Sequence, residues 1–138
     1  MRFLDLTDIA SNLLLMNAML DCIFGVVILL SRVMGCFKSI ANIYLCLFRV
    51  SEDQENPLIC ILSAILLFQW AWTRFFSGVT FQWNRFDGAH TYLLEAGLMM
   101  LGVMFERIDS VKGFGLTGMC IACLVLIVLA DGQHSRRD

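Results

Sequence analysis

The chain has 138 residues, of which 59% are hydrophobic and 16% charged, and its mean hydropathy is +0.75. A soluble domain of this size cannot bury so large an apolar fraction. The net charge of −2, with no Lys/Arg cluster beyond Arg136 and Arg137, excludes a basic surface for nucleic acid.

A helix needs about 20 mostly apolar residues to cross a hydrocarbon core about 30 Å thick, and it satisfies its own backbone while lipid solvates its side chains. The opening MRFLDLTDIASN lacks the basic start and unbroken apolar core of a signal peptide, so the first apolar segment is expected to remain in the mature protein. That segment covers residues 11–31, with Asp8 or Ser11 as the expected helix cap. Over residues 33–50, Val33, Phe37, Ile40, Tyr44 and Leu47 follow helical spacing opposite Lys38, Asn42 and Arg49. This pattern predicts an amphipathic helix at the membrane interface, with continuation of the first segment as the alternative.

The acidic stretch SEDQENP then marks an aqueous loop, and Asn56-Pro57 supplies a cap followed by proline at the first helical position. The second segment, 58–79, ends among Trp70, Trp72, Phe75, Phe76, Phe81, Trp83 and Phe86, which reads as an aromatic belt at the headgroup boundary. A polar turn, QWNRFDG, leads to a third segment at 89–106, and RIDSVKG leads to a fourth at 114–130. Turns this short predict antiparallel neighbours. The expected fold is therefore all-α: one membrane domain built as a four-transmembrane-helix bundle. Orientation is not encoded in the loops, because Arg2, Arg85, Arg136 and Arg137 on one side face Arg32, Lys38, Arg49, Arg107 and Lys112 on the other.

Six polar side chains are expected within or at the edge of the same half of the bilayer: Asn17, Asp21, Gln69, Arg74, His90 and Glu95. At 1.5 Å per residue, Asn17 and Glu95 lie roughly 10 Å deep, and Arg74 about 6 to 8 Å. A charge at the bilayer centre costs at least about 2.5 to 3.5 kcal/mol, so Asp21 and Glu95 should turn inward and find a partner or take up a proton. In the functional reading the six line a pocket for a polar headgroup or a proton-linked site. In the structural reading, which is favoured, Arg74 pairs with Glu95 while Asn17, Asp21 and Gln69 hydrogen-bond between helices. His90 on its own reads as a snorkelling interfacial residue.

Gly115, Gly118 and Ala122 form a small-residue face on the fourth segment, expected to pack within the bundle in preference to mediating dimerisation. Cys120-x-x-Cys123 has redox or metal spacing but no second ligand pair, and the only other histidine is His134 in the tail, so neither metal nor cofactor is expected. No nucleophile elbow, zinc motif or phosphate loop is present.

The third segment carries His90 and Leu94, then Leu101 and Gly102. This H-x-x-x-L and L-G pattern resembles the small four-helix membrane scaffold family of ergosterol biosynthesis and the DoxX-like proteins, and implies no more than a helical membrane scaffold. The favoured function is a non-enzymatic accessory or assembly subunit, with the lipid bilayer and other membrane-protein subunits as partners. Two alternatives stand behind it: a small lipid-binding or proton-linked transport protein using the carboxylate cluster, and an intramembrane lipid-modifying enzyme.

Overall fold

In the computed structural model, which describes residues 5–45 and 57–135, the regular elements are helices. Helix α1 (Leu6–Val33) begins earlier than expected, because Asp5 supplies the cap, accepting from the Thr7 amide at 3.1 Å. Asp8 then falls in the first turn, where its charge complements the helix dipole. Ser11, the other expected cap, instead donates its hydroxyl to the Gly78 carbonyl at 2.6 Å.

The α1 helix closes at Met34, and Gly35 and Phe37 turn the chain with φ of +68° and +58°. The amphipathic helix expected over 33–50 is observed as α2 (Lys38–Leu45), with Val33 belonging to α1. Residues 46–50 lie outside the described residues, as does the acidic loop at 51–56. Within α2, Ala41 is buried in a cluster with Ile28 and Cys60.

Helix α3 (Pro57–Val79) starts at the predicted proline. The reversal that follows is tighter than expected. Instead of turning through QWNRFDG, the chain reverses around Thr80, and those residues begin α4 (Phe81–Met104). The Trp83 and Asn84 amides donate to the Thr80 carbonyl at 2.9 and 3.0 Å. The Asn84 amide group donates to the Thr80 hydroxyl at 2.8 Å, and Asn84 itself departs from helical geometry, so the first turn is set at a kink. At the far end the Gly102 carbonyl accepts from the amides of Arg107 and Ile108 at 2.9 and 3.1 Å. Ile108 buries itself against Met99, Val103 and Leu116, and α5 (Ser110–Ser135) runs back.

Three helices, Leu6–Val33, Pro57–Val79 and the Ser110–Gln133 part of α5, are long and apolar enough to cross a membrane. The α4 helix is of similar length, at 24 residues, but it carries Arg85, Asp87, His90 and Glu95. The four long helices pack as a helical bundle. Ser11 meets Gly78 and Gly25 meets Phe68, so α1 and α3 are antiparallel. The Leu6 amide donates to the Gln133 side chain at 3.1 Å, which sets α1 antiparallel to α5, and Arg85 pairs with Asp131 at 2.5 Å, which does the same for α4 and α5.

Close approach depends on glycines at the helix contacts, Gly78 and Gly88 among them. A Cβ on Gly78 would lie 2.8 Å from Leu15, and one on Gly88 would lie 2.7 Å from Leu14. The core divides accordingly. Ala10 and Leu14 pack with Tyr92, Cys120 and Ile127 between α1, α4 and α5, while Ile28 packs with Ala64, Leu67 and Trp70 between α1 and α3. The outer face is also apolar: Met16, Leu93, Val128 and many other large hydrophobic side chains are exposed. Lipid solvates such a surface and water does not.

Candidate intramembrane polar site

Arg74 holds the centre of the site. It sits four residues after Trp70 on α3, and its side chain is 2% exposed. Each guanidinium nitrogen has its own partner on a neighbouring helix. One terminal nitrogen donates to Asp21 Oδ2 on α1 at 2.6 Å, the other donates to Glu95 Oε2 on α4, and Nε donates to the Thr91 hydroxyl at 3.0 Å. The Thr91 hydroxyl in turn donates to the Gly88 carbonyl at 2.7 Å. The guanidinium carbon also lies 4.2 Å from the centre of the Tyr92 ring and 5.4 Å from that of Trp70. A planar cation with a fixed fork of donors can satisfy two carboxylates and stack on aromatic rings at once, which an ammonium cannot.

A second layer ties in the remaining helices. The Asn17 side-chain amide donates to the Tyr92 hydroxyl and lies 4.0 Å from Cys123 Sγ on α5. Asn17 and Asp21 are one turn apart on α1, as are Thr91 and Glu95 on α4, so each helix offers a polar pair to the same interior volume. Asn17, Asp21, Arg74 and Glu95 are thus brought together. Thr91, Tyr92, Trp70 and Cys123 also belong to the site; sequence reasoning assigns Trp70 to the aromatic belt and Cys123 to the C-x-x-C pair and passes over Thr91 and Tyr92, although one-turn spacing from Glu95 or Arg74 is a signal for the first three.

Gln69 and His90 lie elsewhere. Both are exposed and line an outer groove between α3 and α4. The reason is angular: Gln69 is five residues from Arg74, and His90 five from Glu95, which at 3.6 residues per turn rotates each about 140° away. Two members of the expected aromatic belt also turn inward, since Trp70 and Phe81 are buried, whereas Trp72 and Trp83 are 73% and 84% exposed.

The small-residue face does not pack as expected. Gly115, Gly118 and Ala122 are exposed, and a Cβ on either glycine would meet nothing within 4 Å. The interior face of α5 is instead that of Gly113, Thr117, Cys120 and Ile127, from whose centre the small residues lie about 145° to 175° around the helix. Cys120 and Cys123 are both free thiols. Among the described residues, no three His, Cys, Asp or Glu side chains converge as a metal site.

An apolar exterior on long helices, with ionic groups drawn into the interior, defines a class: the protein is a small multi-pass integral membrane protein. Comparison with protein-family models, with curated proteins and with solved structures finds no match to this chain. The resemblance at His90, Leu94, Leu101 and Gly102 therefore carries no function further.

Proposed function

We propose that the protein crosses the bilayer four times, with α4 as the fourth span, and acts as a non-enzymatic accessory or assembly subunit through helix and lipid contacts. The observation that carries this reading is the complete internal pairing of Arg74. With Glu95 paired inward, the remaining ionic groups of α4, Arg85 and Asp87, fall within its first two turns beside the Thr80 reversal, where they reach the aqueous boundary. Neighbours on both sides run antiparallel to α4, as an up-and-down bundle requires.

A polar cluster closed on itself pins helices together, and it leaves contact with other membrane components to the exterior. The exposed Gly115, Gly118 and Ala122 face is the surface on which a partner helix approaches closely. The test is co-purification after mild detergent extraction. A stoichiometric membrane partner that is lost in Gly118→Leu, with the melting of the chain itself unchanged, is the expected result. A monodisperse lone chain contradicts it.

One observation favours a proton-linked transport reading as the second choice: two carboxylates share one guanidinium, leaving a formal surplus negative charge. That reading requires proton-dependent flux in vesicles that is lost in Glu95→Gln while the fold is retained.

A further inference from the structure

The outer groove between α3 and α4, which takes Gln69 and His90, has a volume of about 440 Å³, within the range of about 300 to 1,000 Å³ typical of small-molecule sites. Its lining changes character along its length. Because the two helices are antiparallel, Asp87 lies nearest the Thr80 reversal, Thr73 and His90 come next, then Gln69 beside Leu94, and finally Leu66 beside Leu98. From Asp87 to Leu98 the rise is about 16 Å, or about half of a hydrocarbon core some 30 Å thick. The polar mouth opens at the end that carries the exposed Trp83 and Phe86, the aromatic boundary of the bilayer. The gradient from charged through polar to aliphatic therefore runs parallel to the polarity of one lipid leaflet.

The floor of the groove is rigid. Trp70 and Thr91 line it, and both are held from behind by Arg74, one through its ring and the other through its hydroxyl.

We infer that this groove binds a single phospholipid whose headgroup carries a primary ammonium, with its head toward Asp87 and its acyl chain along Leu94 and Leu98. The inference rests on α4 being a span. The Asp87 carboxylate is the one charged group among the described residues of the lining and accepts hydrogen bonds from an ammonium. The Thr73 hydroxyl already donates to the Gln69 carbonyl at 3.0 Å, so it too presents an acceptor. The His90 imidazole and the Gln69 amide each hold an N–H for the phosphate or ester oxygens. An anionic headgroup lacking the amine meets Asp87 as a like charge. A quaternary amine has no N–H to give, and Trp70, the single aromatic among the described lining residues, makes no cage for it.

The experiment is native mass spectrometry of the full chain, purified in mild detergent and offered equal amounts of phosphatidylethanolamine, phosphatidylcholine and phosphatidylglycerol of identical acyl chains. The expected result is a one-lipid adduct in which phosphatidylethanolamine is retained severalfold over the other two. Asp87→Asn, at an exposed position, removes the preference. Leu98→Trp, which fills the aliphatic end, removes the adduct, and Val125→Trp on the exposed face of α5 leaves it intact. Equal retention of the three lipids, or a preference unchanged in Asp87→Asn, overturns the inference. Failure of the four-span reading is read separately, by termini found on opposite sides of the membrane, and does not depend on which lipid is retained.

Discussion

Replacing Arg74 with Met keeps a long, flexible side chain in place but removes the only cation that Asp21 and Glu95 share. The two carboxylates then face each other across the α1 to α4 contact with no cation between them, and Thr91 loses its donor. Removing one member of a buried ionic network costs about 3 to 5 kcal/mol, mostly because the charge left behind is stranded. That is roughly two to three and a half orders of magnitude in the folding equilibrium, against a typical total stability of about 5 to 15 kcal/mol. The same argument predicts rescue. Asp21→Leu and Glu95→Leu added to Arg74→Met remove the stranded charges, and stability returns to within about 1 kcal/mol of the wild type, since apolar replacement of a whole buried network is close to neutral. Reversible unfolding by SDS titration in mixed micelles measures both, with Trp70 fluorescence as a reporter beside the cluster. A single variant within about 0.5 kcal/mol of wild type, well under the expected loss, refutes the reasoning. So does a triple variant as unstable as the single one.

Gly88→Ala places a methyl group 2.7 Å from Leu14 Cδ2 and 3.0 Å from the Ser77 Cβ, and is expected to destabilise by about 1 to 3 kcal/mol in the same titration. Gly118→Ala, where a Cβ meets nothing within 4 Å, is expected to be neutral or to stabilise by up to about 1 kcal/mol through helix propensity. The Ser77 hydroxyl is buried without a hydrogen-bond partner, so Ser77→Ala removes a desolvated polar group and is expected to raise the unfolding midpoint or leave it unchanged; a loss above about 1 kcal/mol, the size of one net hydrogen bond, contradicts that. Arg74→Lys keeps the charge but not the fork of donors, and is expected to fall between wild type and Arg74→Met, since one ammonium does not reach Asp21, Glu95 and Thr91 together.

The membrane character was legible because it rests on composition and hydropathy, which need no tertiary information, whereas α1, α4 and α5 begin four to eight residues before the expected positions. Pro57 is the first residue of α3 as its local chemistry dictates. The pairing of Arg74 with Glu95 followed from depth alone: a four-span reading of the sequence puts both within one half of the bilayer, where an unpaired charge is costly. Depth carries no rotational information, however, and so it grouped Gln69 and His90 with residues that face the other way around their helices. Counting five residues to Arg74 and to Glu95 separates them without a structure. The inward turn of Trp70 is of a different kind, since aromatic residues at a headgroup boundary and aromatic residues stacked under a cation have the same local sequence. The reversal at Thr80 was hidden because QWNRFDG is polar enough for a turn, yet it forms the first two turns of α4, with Gln82, Trp83, Phe86 and Asp87 exposed and Arg85 paired to Asp131. The outward face of Gly115 and Gly118 was likewise unreadable, because α5 is apolar on all sides and nothing in its pattern distinguishes interior from lipid.

The number of crossings is the claim on which the rest depends, and its parity can be measured. Single cysteines at Asp8 and Gly132, both exposed, are introduced into a chain whose native cysteines have been replaced, and each is challenged with a membrane-impermeant maleimide in sealed vesicles. Four crossings with α4 inserted predict that both positions react from the same side of the membrane. Reaction from opposite sides contradicts the account, because it leaves an odd number of spans and puts Glu95 outside the bilayer interior.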